Sequence, residues 1–356
     1  MRASVREHVP LAPYTTLGIG GPARYFIHAD SENTVLEALS FAATRGLPLL
    51  VLGGGSNLLV ADAGFPGLVL RVELQGLAWS DDGDRVRLIA GAGEDWDGVV
   101  AQCVKRGLYG VECLSGIPGS VGGTPVQNVG AYGQEIAETL TRVRAYDRDS
   151  AEVVELNHAQ CGFGYRSSVF NTKAVGRYIV LQVEYLLAKQ GQPAIHYPDL
   201  QREFENTSEP GLAAVRDAVR RVRARKAMLL QPGDPDCKSA GSFFKNPIVD
   251  EAIFARIEAS VPGQKVPRYP ASDGRVKTAA AWLIEQAGIS RGFSMGPAAV
   301  SSKHTLALVN RGGATAADLI GLAREIRRRV HDRFGIPLVP EPVFVGFDDA
   351  TQAEFH

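Results

Sequence analysis

An excess of charge of either sign is the first thing missing from this 356-residue chain. Lys and Arg number 38, Asp and Glu 39, and the formal net charge is -1. That balance removes any global electrostatic case for a nucleic acid or a membrane surface as partner. Cysteine is scarce as well. Cys103, Cys113, Cys161 and Cys237 contain no Cys-x-x-Cys pair, which argues against a disulfide framework and against structural zinc. The seven histidines form no His-x-x-x-His pair, so no metal site is expected. No apolar run approaches the roughly 18 residues that span a bilayer. Residues 1–13 are polar and mixed in charge, without a signal-peptide core. A cytoplasmic, reduced protein is expected.

What remains is an ordinary folded chain with one anomaly. Hydrophobic residues make up 45% and charged residues 22%. At about 150 residues per domain the length implies two to three domains. Glycine, with 39 residues, is well above the usual ~7%. It is too aperiodic for collagen and instead marks places where backbone must come close to something.

Periodicity outlines the elements. Residues 31–45 read as a helix that Ser31 caps and Gly46 ends. The apolar run 49–52 reads as a buried strand ending in Gly53-Gly54-Gly55-Ser56-Asn57. Residues 67–74 and 85–92 read as strands, residues 95–106 as a helix, and 140–187 as a series of strands. Two longer helices are expected at about 211–229 and 315–334, the second opened by the capping-box pattern Thr315-Ala-Ala-Asp318. The arginines of these helices, Arg220 to Arg225 and Arg327 to Arg329, read as solvated faces given the neutral net charge. The stretch Gln231 to Asp236 reads as a linker.

Four segments carry chemistry. In Gly53–Asn57, consecutive glycines let backbone N–H groups converge on an anion such as a pyrophosphate. On the residues alone, that nest and an ordinary turn stand equal. Gly18-Ile-Gly20-Gly-Pro-Ala23 formally fits G-x-G-x-x-A, but no strand is expected before it, Pro22 sits where a helix should open, and no acidic residue follows in the right context, so a dinucleotide fingerprint is rejected. Gly116 to Gly133 holds six glycines and two prolines, with Ser120, Thr124, Gln127 and Asn128 among them. It suits a loop wrapped against a flat polar ligand, and Ile117, Val121, Val126 and Val129 argue against a linker. Gly164-Tyr165-Arg166-Ser167-Ser168 places an arginine among small and hydroxyl residues, able to grip a carboxylate, but on these residues alone a surface arginine is the better reading. In Ala240-Gly241-Ser242-Phe243-Phe244-Lys245-Asn246-Pro247 a hydroxyl stands between glycine and two aromatics, without a nucleophile elbow around it. It reads as a positioned acid or nucleophile, or as a core strand edge. Val215, Val219, Val222 and Lys226 fall on one helical face, so the apolar stripe of the 211–229 helix runs into a lysine.

Taken in order, these segments resemble the UDP-N-acetylenolpyruvoylglucosamine reductase family, the MurB flavoenzymes, over nearly the whole chain. The resemblance rests on Thr16-Leu-Gly-Ile-Gly-Gly-Pro-Ala23, Leu52 to Asn57, Gly116 to Gly133, Phe163 to Ser168, Ala240 to Pro247, Ala280-Ala-Trp-Leu-Ile284 and Glu341. It implies an α+β fold: a two-lobed FAD-binding domain of the vanillyl-alcohol-oxidase (PCMH) type plus an α+β substrate-binding lobe. The lobes would be 1–76, then 77–235 with 336–356, then 236–335.

The resemblance also implies the chemistry. FAD would be held by Gly53, Gly54, Gly55, Ser56, Asn57, Ile117, Pro118, Gly119, Ser120, Gly122, Gly123, Asn128, Gly130 and Tyr132. NADPH would reduce it and leave, and the UDP-N-acetylglucosamine enolpyruvate substrate would then take the same cleft and be reduced to UDP-N-acetylmuramate. Ser242 would donate the proton, Arg166 would hold the substrate carboxylate, and Glu341 would assist at the developing enolate. Tyr197, Lys226, Asn246, Tyr269, Lys277 and His304 match substrate-contacting positions. His196-Tyr197-Pro-Asp-Leu200 resembles the branch with a tyrosine-bearing loop. Pro342 after Glu341 departs from the family pattern. A monomer is expected, with no nucleic-acid or membrane partner. A flavin oxidase and a non-catalytic nucleotide-binding module are the alternatives.

Overall fold

Alternating and fully apolar strand patterns account for most of the architecture. The computed structural model describes residues 4–207 and 209–355, so Met1, Arg2 and Ala3 of the N-terminal reading lie outside the described residues. Chain contacts divide into two compact units. The first holds residues 1–9, 23–55 and 66–224; the second holds 10–22, 56–65 and 225–356.

The first unit contains two sheets. One is four-stranded, in the order Arg6–Pro10, Pro22–Ala29, Phe65–Val72, Leu49–Leu52. Leu49–Leu52 and Phe65–Val72 run parallel. The Glu32–Thr44 helix precedes Leu49–Leu52, and the Ser31 side chain caps it by accepting from the Thr34 N–H. The second sheet is antiparallel and five-stranded: Glu152–Asn157, Leu140–Asp147, Tyr178–Ala188, Arg85–Gly91, Leu77–Asp82. Leu140–Asp147 alternates buried and partly exposed residues, as a strand with one covered face should. The Trp96–Lys105 helix, capped by Asp95, buries Trp96, Val99, Val100 and Cys103. These join Ile27, Val35, Leu68, Leu70, Val143 and Ile179 in one continuous core.

The second unit is built on a sheet ordered Ser239–Ser242, Ala307–Asn310, Ala298–Val300, Ser294–Met295. The Ala316–Phe334 helix contributes Leu319, Leu322, Ile326 and Val330 to its core. The expected capping box is present: Thr315 Oγ1 accepts from the Asp318 N–H while Asp318 accepts from Thr315, and Gly335 ends the helix in the left-handed conformation. A small sheet of Ile248–Val249, Val276–Lys277 and Tyr269–Pro270 and a parallel pair, Leu58–Val60 with Val343–Val345, complete the unit.

Three local readings are corrected. The helix expected at 211–229 spans Leu212–Arg225, and Ala227 takes a left-handed φ of 54° just beyond it. Lys226 therefore stands past the helix, where the chain has turned, rather than at the end of its apolar stripe. A strand, Arg6–Pro10, does precede the Gly18–Ala23 motif, but the motif leads into the strand Pro22–Ala29 and not into a helix. Its glycines serve a chain crossing: a Cβ on Gly21 would collide with the Asp62 carbonyl. The Gln231–Asp236 linker is anchored, with Asp236 only 1% exposed.

Candidate active site

In the first unit the two glycine segments meet each other. Gly53 and Gly54 pack on Gly119 and Ser120. A Cβ on Gly54 would strike the Gly119 Cα, and one on Gly53 would lie 2.5 Å from Ser120 Oγ. Only backbone without side chains fits there. Ser120 Oγ is buried yet has no hydrogen-bond partner within the protein. A buried hydroxyl without a partner costs free energy unless a ligand supplies one. An orphaned donor against two bare backbone stretches suits the pyrophosphate of a dinucleotide, and the residues present fit FAD.

The Gly116–Gly133 segment is firmly held. The Gly119 carbonyl accepts from the Trp96 N–H at 3.1 Å, Val121 N–H donates to the Glu94 carbonyl at 2.9 Å, and Gly122 N–H donates to the Ala92 carbonyl at 2.8 Å. The Gly116 N–H donates to Asp97 Oδ1 at 2.6 Å, and the Gly116 carbonyl accepts from Arg223 Nε at 3.0 Å. Asp97 also accepts from Arg216 and Arg220.

Arg216, Arg220 and Arg223 stand at i, i+4 and i+7, one stripe of the Leu212–Arg225 helix. The reading of Arg220 to Arg225 as a solvated face is thus wrong for Arg223, while Arg220 stays partly exposed and pairs with Asp97. Arg223 is buried and hydrogen-bonds Tyr132. Burial lowers the pKa of its guanidinium, against the opposing influences of Tyr132 and Asp97. Burial also raises the Tyr132 phenol to about 12. Arg223 was missed because its signal, a heptad-spaced arginine stripe beside the valine stripe, looks the same in a solvated helix.

Arg166 is braced by the same segment. Its Nη2 donates to the Gly130 carbonyl at 2.9 Å, and its own carbonyl accepts from Asn171 Nδ2 at 3.2 Å. Asn128 Nδ2 donates to the Gly164 carbonyl at 3.1 Å and to Glu135 Oε2 at 2.7 Å. Asn128, Tyr132 and Arg166 all hold left-handed φ, of 45°, 52° and 52°. Such backbone costs about 1–3 kcal/mol per residue and collects at functional sites. Arg166 is half-buried, not a plain surface arginine. Tyr197 is exposed, and its ring meets Tyr132 edge-on at 5.4 Å.

In the second unit, three chain segments that are distant in sequence run side by side. Ser242 pairs with Ala307 at the end of its strand. The next carbonyl, that of Phe243, accepts from the Glu341 N–H at 2.8 Å. The Glu341 carbonyl accepts from Asn57 Nδ2 at 3.2 Å, and Val343 N–H donates to the Asn57 carbonyl at 2.9 Å. Pro342 is compatible with this, since Glu341 and Val343 carry the donors. Phe243 and Phe244 are buried beneath the strand, stacked edge to face at 5.1 Å.

Other expected positions lie in the same unit. His304 stands in the turn before Ala307–Asn310, and its Nδ1 accepts from the Leu306 N–H at 3.1 Å. Asn246 Oδ1 accepts from the Ala280 N–H and so holds the start of the Ala280–Gln286 helix. Lys277 lies in the middle strand of the small sheet, opposite Tyr269 on one side and Ile248 on the other. Tyr269 is exposed. No helix among the described residues is long and apolar enough to cross a membrane.

Comparison with known proteins fits this layout. Residues 23–157 match the family model described as FAD binding domain. Residues 231–345 match the one described as UDP-N-acetylenolpyruvoylglucosamine reductase, C-terminal domain. A curated UDP-N-acetylenolpyruvoylglucosamine reductase of Thermobifida fusca is 51% identical over 356 residues, covering 97% of this chain and 99% of the relative. That of Mycobacterium marinum is 48% identical, covering 97% and 96%. The crystal structure of the corresponding enzyme from Thermus caldophilus superposes with a TM-score of 0.65 at 28% identity, over 97% of this chain and 99% of that one.

Proposed function

The chain belongs to the UDP-N-acetylenolpyruvoylglucosamine reductase family, and from that premise we propose that this α+β, FAD-dependent oxidoreductase reduces the enolpyruvyl group of UDP-N-acetylglucosamine enolpyruvate to UDP-N-acetylmuramate. The product would serve peptidoglycan precursor synthesis in a bacterial cytoplasm. NADPH is the proposed reductant, with NADPH and substrate bound in turn by a monomer. The observation that supports the reading is the set of hydrogen bonds that ties the Ser242–Phe243 segment to Glu341 and Glu341 to Asn57: the Phe243 carbonyl accepts from the Glu341 N–H, and the Glu341 carbonyl accepts from the Asn57 side chain.

FAD, when bound, would supply hydride chemistry at this site. The glycines Gly53, Gly54, Gly55, Gly119, Gly122, Gly123 and Gly130, with Ser56, Asn57, Ile117, Pro118, Ser120, Asn128 and Tyr132, are the residues assigned to hold it. Hydride addition to the methylene carbon leaves negative charge on an enolate whose carboxylate is already anionic. Arg166 provides a guanidinium cation to face it. Ser242 Oγ provides the proton for the neighbouring carbon. A serine hydroxyl is a weak acid, so it serves only against a strongly basic developing carbanion. Glu341 assists at the enolate, Lys226, Asn246, Tyr269, Lys277 and His304 contact the nucleotide or the substrate, and Tyr197 stacks near the nucleotide.

Anaerobic titration tests the reading. NADPH should bleach the yellow protein, and only the enolpyruvyl nucleotide should restore the colour. Bleaching by a sugar or an alcohol would instead make the protein an oxidase.

A further inference from the structure

The segment 231–236 reads as a linker, yet it contains Asp236, a buried carboxylate that accepts from four donors. Asp236 Oδ2 accepts from Ser301 Oγ at 2.9 Å, from the Ser302 N–H at 2.6 Å and from Ser302 Oγ at 2.7 Å. Its Oδ1 accepts from Arg311 Nε at 3.3 Å. Two residues earlier, Asp234 accepts from Lys303 Nζ at 2.5 Å and from the Asp236 N–H at 3.0 Å. Burial alone would raise the Asp236 carboxyl, but the Ser302 and Ser301 hydroxyls, the Ser302 N–H and the Arg311 charge hold it below the usual carboxylate range.

These bonds converge on one turn. Ser301 Oγ, while donating to Asp236, accepts from the Lys303 N–H at 3.0 Å. The Ser301 N–H donates to the Ala307 carbonyl at 2.8 Å, and the Ala307 N–H donates to the His304 carbonyl at 3.1 Å. The Leu306 N–H, held between them, points at His304 Nδ1. A backbone N–H can only donate, so Nδ1 accepts and the neutral ring carries its hydrogen on Nε2. The Leu306 carbonyl in turn accepts from the Phe243 N–H at 2.7 Å, beside Ser242. One carboxylate thus stands behind both the tautomer of His304 and the register of the Ser242 strand.

We infer that Asp236 is a positioning residue. It fixes the 301–307 turn so that His304 is held as the Nε2–H tautomer, a directed donor suited to a phosphate or carbonyl oxygen of the nucleotide. The orientation of His304 belongs to this inference alone. The identity of what it binds rests on the function proposed above.

Full-length, flavin-loaded protein with 15N-labelled histidine separates the two. Long-range 15N–1H spectra, assigned with His304→Gln, should show the Nε2–H form in the wild type. Asp236→Asn keeps the size but loses the charge that the four donors surround. It should turn the His304 signal into a mixture of tautomers and raise KM for the enolpyruvyl nucleotide roughly tenfold. Ser302→Ala removes one donor and leaves the fold's other contacts, so it should do the same to a smaller degree. In a His304→Ala background, Asp236→Asn should add less than about twofold to KM. An unchanged tautomer in both Asp236→Asn and Ser302→Ala overturns the positioning inference. So does a full additive loss in the His304→Ala background. A shifted tautomer with unchanged KM upholds the positioning and counts against the assigned ligand of His304.

Discussion

The backbone N–H of Glu341 donates to the carbonyl of Phe243 at 2.8 Å, so a residue near the C-terminal end is tied to the position next to Ser242. The two are nearly a hundred residues apart, and no local pattern in either segment announces the other. The bond matters because it is main chain to main chain. It survives substitution of either neighbouring side chain, so Glu341→Gln tests chemistry rather than folding. That variant should unfold at a temperature near that of the wild type and reduce the enolpyruvyl nucleotide more slowly. A large loss of thermal stability would mean that the carboxylate is structural.

The glycine cradle separates folding from flavin binding. Gly54→Ala drives a Cβ into the Gly119 backbone, which neither chain can yield cheaply. It should destabilise the protein by about 1–3 kcal/mol and empty it of flavin. Gly123 meets nothing within 4 Å, so Gly123→Ala should leave the melting temperature of the apoprotein unchanged and lower only flavin retention. Absorbance at the flavin band relative to protein, with thermal unfolding of the apoprotein, checks both.

Arg223 ties Gly116 to Tyr132 from a buried position. Arg223→Met leaves the Gly116 carbonyl and the Tyr132 hydroxyl without that partner and should cost about 1–3 kcal/mol in denaturant unfolding. Arg223→Lys, a point charge without a fork, should not restore it.

Much of this was legible beforehand, and the losses have physical reasons. The Thr315 cap, the Asp95-started helix and the ordered Gly116–Gly133 segment follow from local rules of capping and apolar content. Buried Arg223 and Asp236 and half-buried Asp97 were invisible because a covered ion and a solvated one have the same letter. Only the partner reveals the difference, and Asp97 and Arg223 are separated by more than 120 residues. The end of the Leu212–Arg225 helix was misplaced because its apolar period continues into residues that no longer lie on it.

Asp97 makes stability depend on acid. Burial alone would raise its carboxyl, but the Arg216 hydrogen bond, the Gly116 N–H and the charges of Arg216 and Arg220 together bring it below the ordinary value of 3.8. A carboxyl with a depressed folded-state pKa binds its proton more readily when unfolded. Its contribution is therefore complete above the unfolded value and is lost as pH falls through the folded one. Below about pH 4, Asp97→Asn should show a shallower decline in unfolding free energy than the wild type. Parallel declines would mean that Asp97 is not a principal acid-sensitive contact.

Tyr197 meets Tyr132 edge-on and is exposed. Tyr197→Ala should weaken binding of the enolpyruvyl nucleotide by between about threefold and tenfold while leaving flavin content intact. Calorimetric binding to the oxidised protein reads the first, and absorbance reads the second. Unchanged affinity would remove Tyr197 from the substrate's surroundings.

The central claim is that Ser242 supplies the proton, and anaerobic stopped-flow of the two half-reactions of Ser242→Ala tests it most directly. Reduction of the flavin by NADPH should proceed at close to the wild-type rate. Its reoxidation by the enolpyruvyl nucleotide should slow by about 10²–10⁴-fold, the range expected for loss of a general acid. Equal slowing of both half-reactions, or none in the second, would contradict the assignment.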